Sequence, residues 1–161
     1  MLLRSQTITP GQGHAAGREL LAQMYREVTG KALPEICVTK LGKPYFADNS
    51  RYFSVSHTKG HVFCALSDKP VGIDAEELDR DIDLRLAEKI LSASEKVYFH
   101  ASEDKRLTLL KFWVLKEAAA KLSGKGLQGY PNHTNFSPED PRLTTIDGCI
   151  VAVMEEQNDV V

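Results

Sequence analysis

The sequence is short of several things, and each shortage removes a class of protein. Its 161 residues include three cysteines, Cys37, Cys64 and Cys149. They are odd in number and form no CxxC pair, so they encode neither a disulfide framework nor a zinc site. Each lies in an apolar run, where a buried thiol is expected. The histidines at 14, 61, 100 and 133 lack metal-ligand spacing. No apolar run approaches the roughly 18 residues of a transmembrane helix, and the opening MLLRSQTITPGQGHAAG holds no apolar core of signal-peptide length. A reduced, cytoplasmic protein with no membrane partner is therefore expected. Excess charge is missing too: 20 basic against 22 acidic residues leave a net charge of −2. That balance gives no global field for nucleic acid.

What remains is ordinary globular material, 26% charged and 42% apolar, long enough for one domain or two small halves packed together. Residues 17–30 have helical apolar spacing and a stop at Gly30. Residues 35–46 read as a strand broken by a Gly-Lys-Pro turn. Residues 52–58 alternate as a strand, and 61–67 with 71–76 read as a hairpin. The second half turns helical. A helix over 83–100 breaks near Ser92 to Ser94, with Ser94 as the expected cap, and a long helix spans 103–124. A loop with Pro131, Pro138 and Pro141 leads to a final hairpin over 144–156, turned at Asp147-Gly148. Strands and helices do not alternate regularly, which favours α+β over a parallel α/β sheet.

Two stretches carry charge where chemistry would use it. In VGIDAEE (71–77), Asp74 and Glu76 are two apart on a strand and point to one face. Two carboxylates aimed together repel unless a cation or water screens them, and a hard ion such as Mg²⁺ suits such oxygens. The competing reading is a solvated acidic loop continuing through Glu77, Asp79, Asp81 and Asp83. In FWVLKEAAAK (112–121), Leu110, Trp113, Val114, Glu117 and Lys121 share one helical face. Glu117 and Lys121 thus sit inside an apolar stripe, where unpartnered charge is costly. The competing reading is a surface i, i+4 ion pair worth about 0.2–0.5 kcal/mol. Lys111 and Lys116 lie off that face. Ser56 and His57 in FSVSHT are neighbours on a strand, face opposite ways, and do not make a nucleophile–base pair. GKGLQG (124–129) lacks the complete phosphate-loop pattern.

In this order, GKPYF (42–46), FSVSHT (53–58), VGIDAEE (71–77) and FWVLKEAAAKLSGKGL (112–127) resemble the 4′-phosphopantetheinyl transferases, of the surfactin (Sfp-like) type rather than the short trimeric holo-acyl-carrier-protein synthases. The resemblance covers roughly residues 14 to 127 and marks a compact member. It implies an α+β, pseudo-duplicated fold of two halves, near 1–76 and 77–161, within one monomeric unit of 1–161, with coenzyme A in the cleft between them. It implies transfer of phosphopantetheine from coenzyme A to a serine of an apo acyl or peptidyl carrier protein, releasing 3′,5′-ADP. The cofactor would be Mg²⁺, with Mn²⁺ as the alternative ion. By motif position, Asp74, Glu76 and Glu117 would be the metal ligands, and Lys121 would contact the pyrophosphate. Asp74, Glu117 and Lys121 form the catalytic set. Lys43 and Pro44 would line the nucleotide pocket. Ser56 and His57 would lie near the coenzyme A phosphates, His57 at the 3′-phosphate. Lys116 has a weaker claim on a phosphate. Arg4, His14 and Arg18 are the N-terminal cations available to the 3′-phosphate. The serine proton would go to Glu117 or to a metal-bound water. Carrier proteins present an acidic helix, so Arg85, Lys89, Lys96 and Lys111 are candidates for that surface. A non-catalytic carrier-binding relative is the alternative function, and a metal-dependent phosphohydrolase a third.

Overall fold

The computed structural model describes residues 1–126 and 133–157. The final residue of the fourth motif, Leu127, the rest of GKGLQG through residue 129, and Pro131 lie outside them. In chain order the elements are β1 (Leu2–Thr7), α1 (Gly13–Thr29), β2 (Ile36–Val38), β3 (Pro44–Phe46), β4 (Tyr52–His57), β5 (His61–Ser67) and β6 (Val71–Glu77). A single 3₁₀ turn, Leu84–Leu86, then precedes α2 (Ala87–Ile90), α3 (Ala93–Ala101), α4 (Lys105–Ser123), β7 (Leu143–Ile146) and β8 (Cys149–Glu155). The class is mixed α and β with small antiparallel sheets, as expected.

Among the described residues three sheets form, ordered β1-β5-β4, β2-β3 and β6-β8-β7. Alternation along the strands explains the layering. On β5, Val62, Cys64 and Leu66 face α1, where they join Leu20, Leu21, Met24 and Tyr25. Phe63 and Ala65 face the other way and meet Val71, Ile73 and Ala75 of β6 with Cys149 and Val151 of β8. The outer face of β8, Ile150, Ala152 and Met154, packs on Leu110, Val114 and Ala118 of α4. The order of layers is therefore α1, first sheet, second sheet, α4. As expected for buried thiols, Cys64 and Cys149 are buried; Cys37 is half-buried.

The hairpin expected from 61–67 and 71–76 does not form. A strand has two edges, and β5 has both occupied, by β4 and by β1. No strand is expected over 2–7 from the sequence alone. Strand β6 turns away and pairs with β8 instead, which places 71–77 in the C-terminal sheet. The last hairpin stands as read: Asp147 and Gly148 both take positive φ, 51° and 74°, the requirement of a two-residue turn that matches strand twist. Helix α1 ends at Gly30 in the left-handed conformation, and α4 likewise at Gly124, both as expected. The cap of α3 is corrected from Ser94 to Ser92. Ser92 Oγ accepts from the Glu95 N–H, and Glu95 Oε2 accepts from the Ser92 N–H at 2.8 Å, a capping box written as Ser-x-x-Glu.

Candidate functional site

On β6, Val71, Ile73 and Ala75 enter the inter-sheet core, so Gly72, Asp74 and Glu76 face α4. Glycine at 72 is what lets the helix come close: a Cβ there would stand 2.1 Å from Ala118 O and 2.5 Å from Leu122 N. One turn of α4 lies between Glu117 and Lys121; Lys121 reaches the carboxylate of Asp74, and Glu117 lies within range of the charges of Asp74 and Glu76. Lys121 Nζ lies 2.8 Å from Asp74 Oδ1 and donates also to Val55 O at 3.4 Å. Glu76 is paired with Arg80, whose guanidinium also lies 5.6 Å from the centre of the Trp113 ring.

The electrostatics are those of crowded, half-dry carboxylates. Burial pushes the Asp74 carboxyl above its usual range, against the pull of Lys121. Burial raises Glu76 as well, opposed by Arg80. Glu117 is pushed up to about 7, by burial first and then by the negative charge of Asp74 and Glu76. Three carboxylates thus feel one another. Asp74 Oδ2 is fully buried and accepts no hydrogen bond among the described residues, a costly state for a carboxylate oxygen. An orphaned hard oxygen beside two further carboxylates fits a hard divalent cation. The set is not a ready-made cage, however. Among the described residues no three acidic, histidine or cysteine groups stand in metal-holding geometry, and Lys121 and Arg80 are paired with Asp74 and Glu76.

Next to these carboxylates opens a pocket of about 530 Å³, lined from one side by α1, the β2–β3 hairpin and β4, and from the other by α4. It brings together Lys43, Pro44, His57, Glu117 and Lys121, and adds His14 and Arg18 of α1. Its walls are mostly apolar, including Leu21, Ile36, Val38 and Phe53. The Gly-rich start of α1 shapes it: a Cβ on Gly13 would stand 2.5 Å from His57 Cγ, and one on Gly17 2.9 Å from Val55 Cγ1. Lys43 lies on the wall, but its ammonium donates to Leu122 O at 2.5 Å and so ties the hairpin to the last turn of α4.

Other nominated residues are placed elsewhere. Ser56 is buried at the junction of β4 and β6 and donates to Asp74 Oδ1 at 3.1 Å. Lys116 is not brought to the pocket. It is 2% exposed and its ammonium lies 2.7 Å from Glu95 Oε2 and from Thr134 Oγ1. A buried ammonium needs such partners, and Glu95 is itself fixed by the Ser92 and Phe136 N–H groups. Arg4 pairs with Glu27 on the surface. Of the surface cations considered for a carrier protein, Arg85, Lys96 and Lys111 pair with Asp83, Glu88 and Glu139. Two charged residues escaped the sequence reading. Arg80 was signalled only by its four-residue distance from Glu76, and Glu95 only by the capping box.

Comparison with known proteins meets this geometry with a family. Residues 70–149 match the model of the 4′-phosphopantetheinyl transferase superfamily. Among curated relatives, the 4′-phosphopantetheinyl transferase psf-1 of Bacillus pumilus is 37% identical over 107 residues, 64% of this chain and 46% of its own length. The 4′-phosphopantetheinyl transferase gsp of Aneurinibacillus migulanus is 35% identical over 88 residues, 53% of this chain and 36% of its own. The 4′-phosphopantetheinyl transferase Sfp of Bacillus subtilis strain 168 is 29% identical over 118 residues, 71% and 51%. The Sfp-like resemblance carried by the four motifs therefore stands. The chain spans about a third to a half of the length of these relatives.

Proposed function

We propose that this protein is a cation-dependent 4′-phosphopantetheinyl transferase, moving phosphopantetheine from coenzyme A to a serine of an apo acyl or peptidyl carrier protein and releasing 3′,5′-ADP. The observation that carries the reading is the meeting of Asp74, Glu76, Glu117 and Lys121 beside a mostly apolar pocket with basic residues on its wall. The names of the relatives support the transfer chemistry. In this reading residues 1–161 form one monomeric, cytoplasmic unit with pseudo-duplicated halves. The halves of this reading are those near 1–76 and 77–161, and the pocket is its coenzyme A cleft.

Asp74, Glu76 and Glu117 would hold Mg²⁺, or Mn²⁺ in its place. When bound, the ion supplies positive charge to the pyrophosphate oxygens as they become more negative. Lys121 adds a second cation at the same place and holds Asp74 in line. Glu117 is one candidate acceptor for the serine proton; its pKa of about 7 is that of the metal-free carboxyl, which a bound cation would lower. His57, His14 and Arg18 provide cations or donors for the remaining phosphates, and Lys43 with Pro44 walls the nucleotide. Lys116, spent on Glu95, is left out of the ligand set.

The test is mass spectrometry of apo carrier proteins incubated with the protein, coenzyme A and Mg²⁺. A mass gain of one phosphopantetheine is expected, and no gain on several carriers overturns the enzyme reading. Glu117→Gln and Asp74→Ala are expected to abolish transfer while keeping the fold. Wild-type turnover by both would refute the site.

A further inference from the structure

Ser54 and Ser56 stand two apart on β4 and perform the same task at its border with β6. Ser54 Oγ accepts the Ile73 N–H at 3.1 Å, and Ser56 Oγ accepts the Ala75 N–H at 3.1 Å. Strands β4 and β6 belong to different sheets and share no backbone ladder. The two hydroxyls therefore stand where ladder carbonyls would, satisfying backbone donors that are buried. Both serines are nearly inaccessible, 7% and 6% exposed.

They differ in one bond. The hydroxyl of Ser56 also donates to Asp74 Oδ1, 3.1 Å away; among the described contacts Ser54 makes no bond to a site residue. Asp74 Oδ1 thus receives two donors, Ser56 and Lys121, whereas Oδ2 receives none among the described residues. A carboxylate with one oxygen doubly held cannot rotate freely. The identity of the oxygen left over is fixed.

We propose that Ser56 is a positioning residue of the cation site, fastening Asp74 by Oδ1 so that Oδ2 is the oxygen presented to the metal. This rests on the cation-dependent reading above, and gives Ser56 a role different from contact with a coenzyme A phosphate. Partners that orient a metal ligand typically change metal affinity by about 10–100-fold when removed. Because Ser54 shares the joining role and lacks the Asp74 bond, it is the control for damage to the sheet junction, and coenzyme A is kept saturating because Ser54 also lines the pocket.

The experiment measures Mn²⁺ binding by water-proton relaxation, with the full chain saturated in coenzyme A. Ser56→Ala and Ser56→Cys are expected to weaken Mn²⁺ about tenfold or more. The cysteine variant keeps the side-chain volume and guards against failure of the alanine variant to fold. Ser56→Thr, which retains the hydroxyl, is expected to restore binding, and Ser54→Ala to stay within about twofold of wild type while lowering the melting temperature as Ser56→Ala does. Coenzyme A affinity measured in EDTA should be the same for wild type and Ser56→Ala; a loss there assigns Ser56 to the nucleotide and overturns the proposal. Wild-type Mn²⁺ affinity in both Ser56→Ala and Ser56→Cys overturns it too, as does an equal loss in Ser54→Ala. These results leave the transferase reading standing. Absence of Mn²⁺ binding by the wild-type protein removes the cation reading and this inference together.

Discussion

Replacing Gly72 by alanine tests the tightest of the described glycine positions. The added Cβ would lie 2.1 Å from Ala118 O and 2.5 Å from Leu122 N, where ordinary contact begins at 3.4 Å. Both obstacles are backbone atoms inside α4, so no side-chain rotation relieves them. Strand and helix must part by more than an ångström, along the interface that buries Val114 and Ala118 against Ala152 and Met154. Overpacking of a well-filled core costs about 1–3 kcal/mol, and a rigid backbone obstacle belongs at the upper end. The loss of unfolded-state freedom on Gly→Ala returns about 0.4–1 kcal/mol, leaving a net loss of about 2 kcal/mol. For a chain of this size that is a drop of roughly 4–8 °C in melting temperature. The same displacement pulls Asp74 on β6 from Lys121 on α4, now 2.8 Å apart, so Mn²⁺ affinity should fall together with stability. The assay is urea denaturation, followed by Mn²⁺ titration of the folded variant. A midpoint shift equivalent to less than about 0.5 kcal/mol, with unchanged metal affinity, would refute the close-approach argument.

Lys116→Met leaves Glu95 buried with its main cation gone, and breaking a buried pair in this way costs about 3–5 kcal/mol; urea denaturation should show it as a lower midpoint at constant slope, and a loss below about 1 kcal/mol would mean the pair is structurally idle. Glu117 makes the metal-free protein lose stability as pH rises. Its folded pKa, about 7, lies above the ordinary 4.5, so the native state holds its proton more tightly and ∂ΔG/∂pH is negative across that window. Melting temperatures in EDTA across that window should fall more steeply with pH for wild type than for Glu117→Gln. Parallel curves for the two proteins would show that Glu117 is not perturbed.

The site was more legible in the sequence than the path of the chain. Period-two spacing put Asp74 and Glu76 on one face, and helical spacing put Glu117 and Lys121 on another; the fold lays those faces together. Periodicity does not choose partners between strands, so β6 was paired with β5 when it belongs with β8. The error traces to β1, an edge strand whose LLRSQT has little alternation to announce it. Lys116 shows the other kind of blindness. Its position off the Glu117 face was readable, but its burial depends on Glu95, twenty-one residues earlier, and only packing joins the two. Likewise the sequence allowed Ser56 a phosphate, because nothing local says that a backbone N–H of another sheet is waiting for it.

Strand β6 carries Val71, Ile73 and Ala75 on one face and Asp74 and Glu76 on the other. A slip of one residue in its pairing with β8 would drive Asp74 and Glu76 into the core between the sheets and turn Val71, Ile73 and Ala75 toward the pocket. Two unpaired carboxylates in that core would cost several kcal/mol each, enough to offset most of a domain's margin of stability. The hydrophobic core thereby proofreads the polar site: a chain that has buried its valine, isoleucine and alanine correctly has also set its acids to face α4.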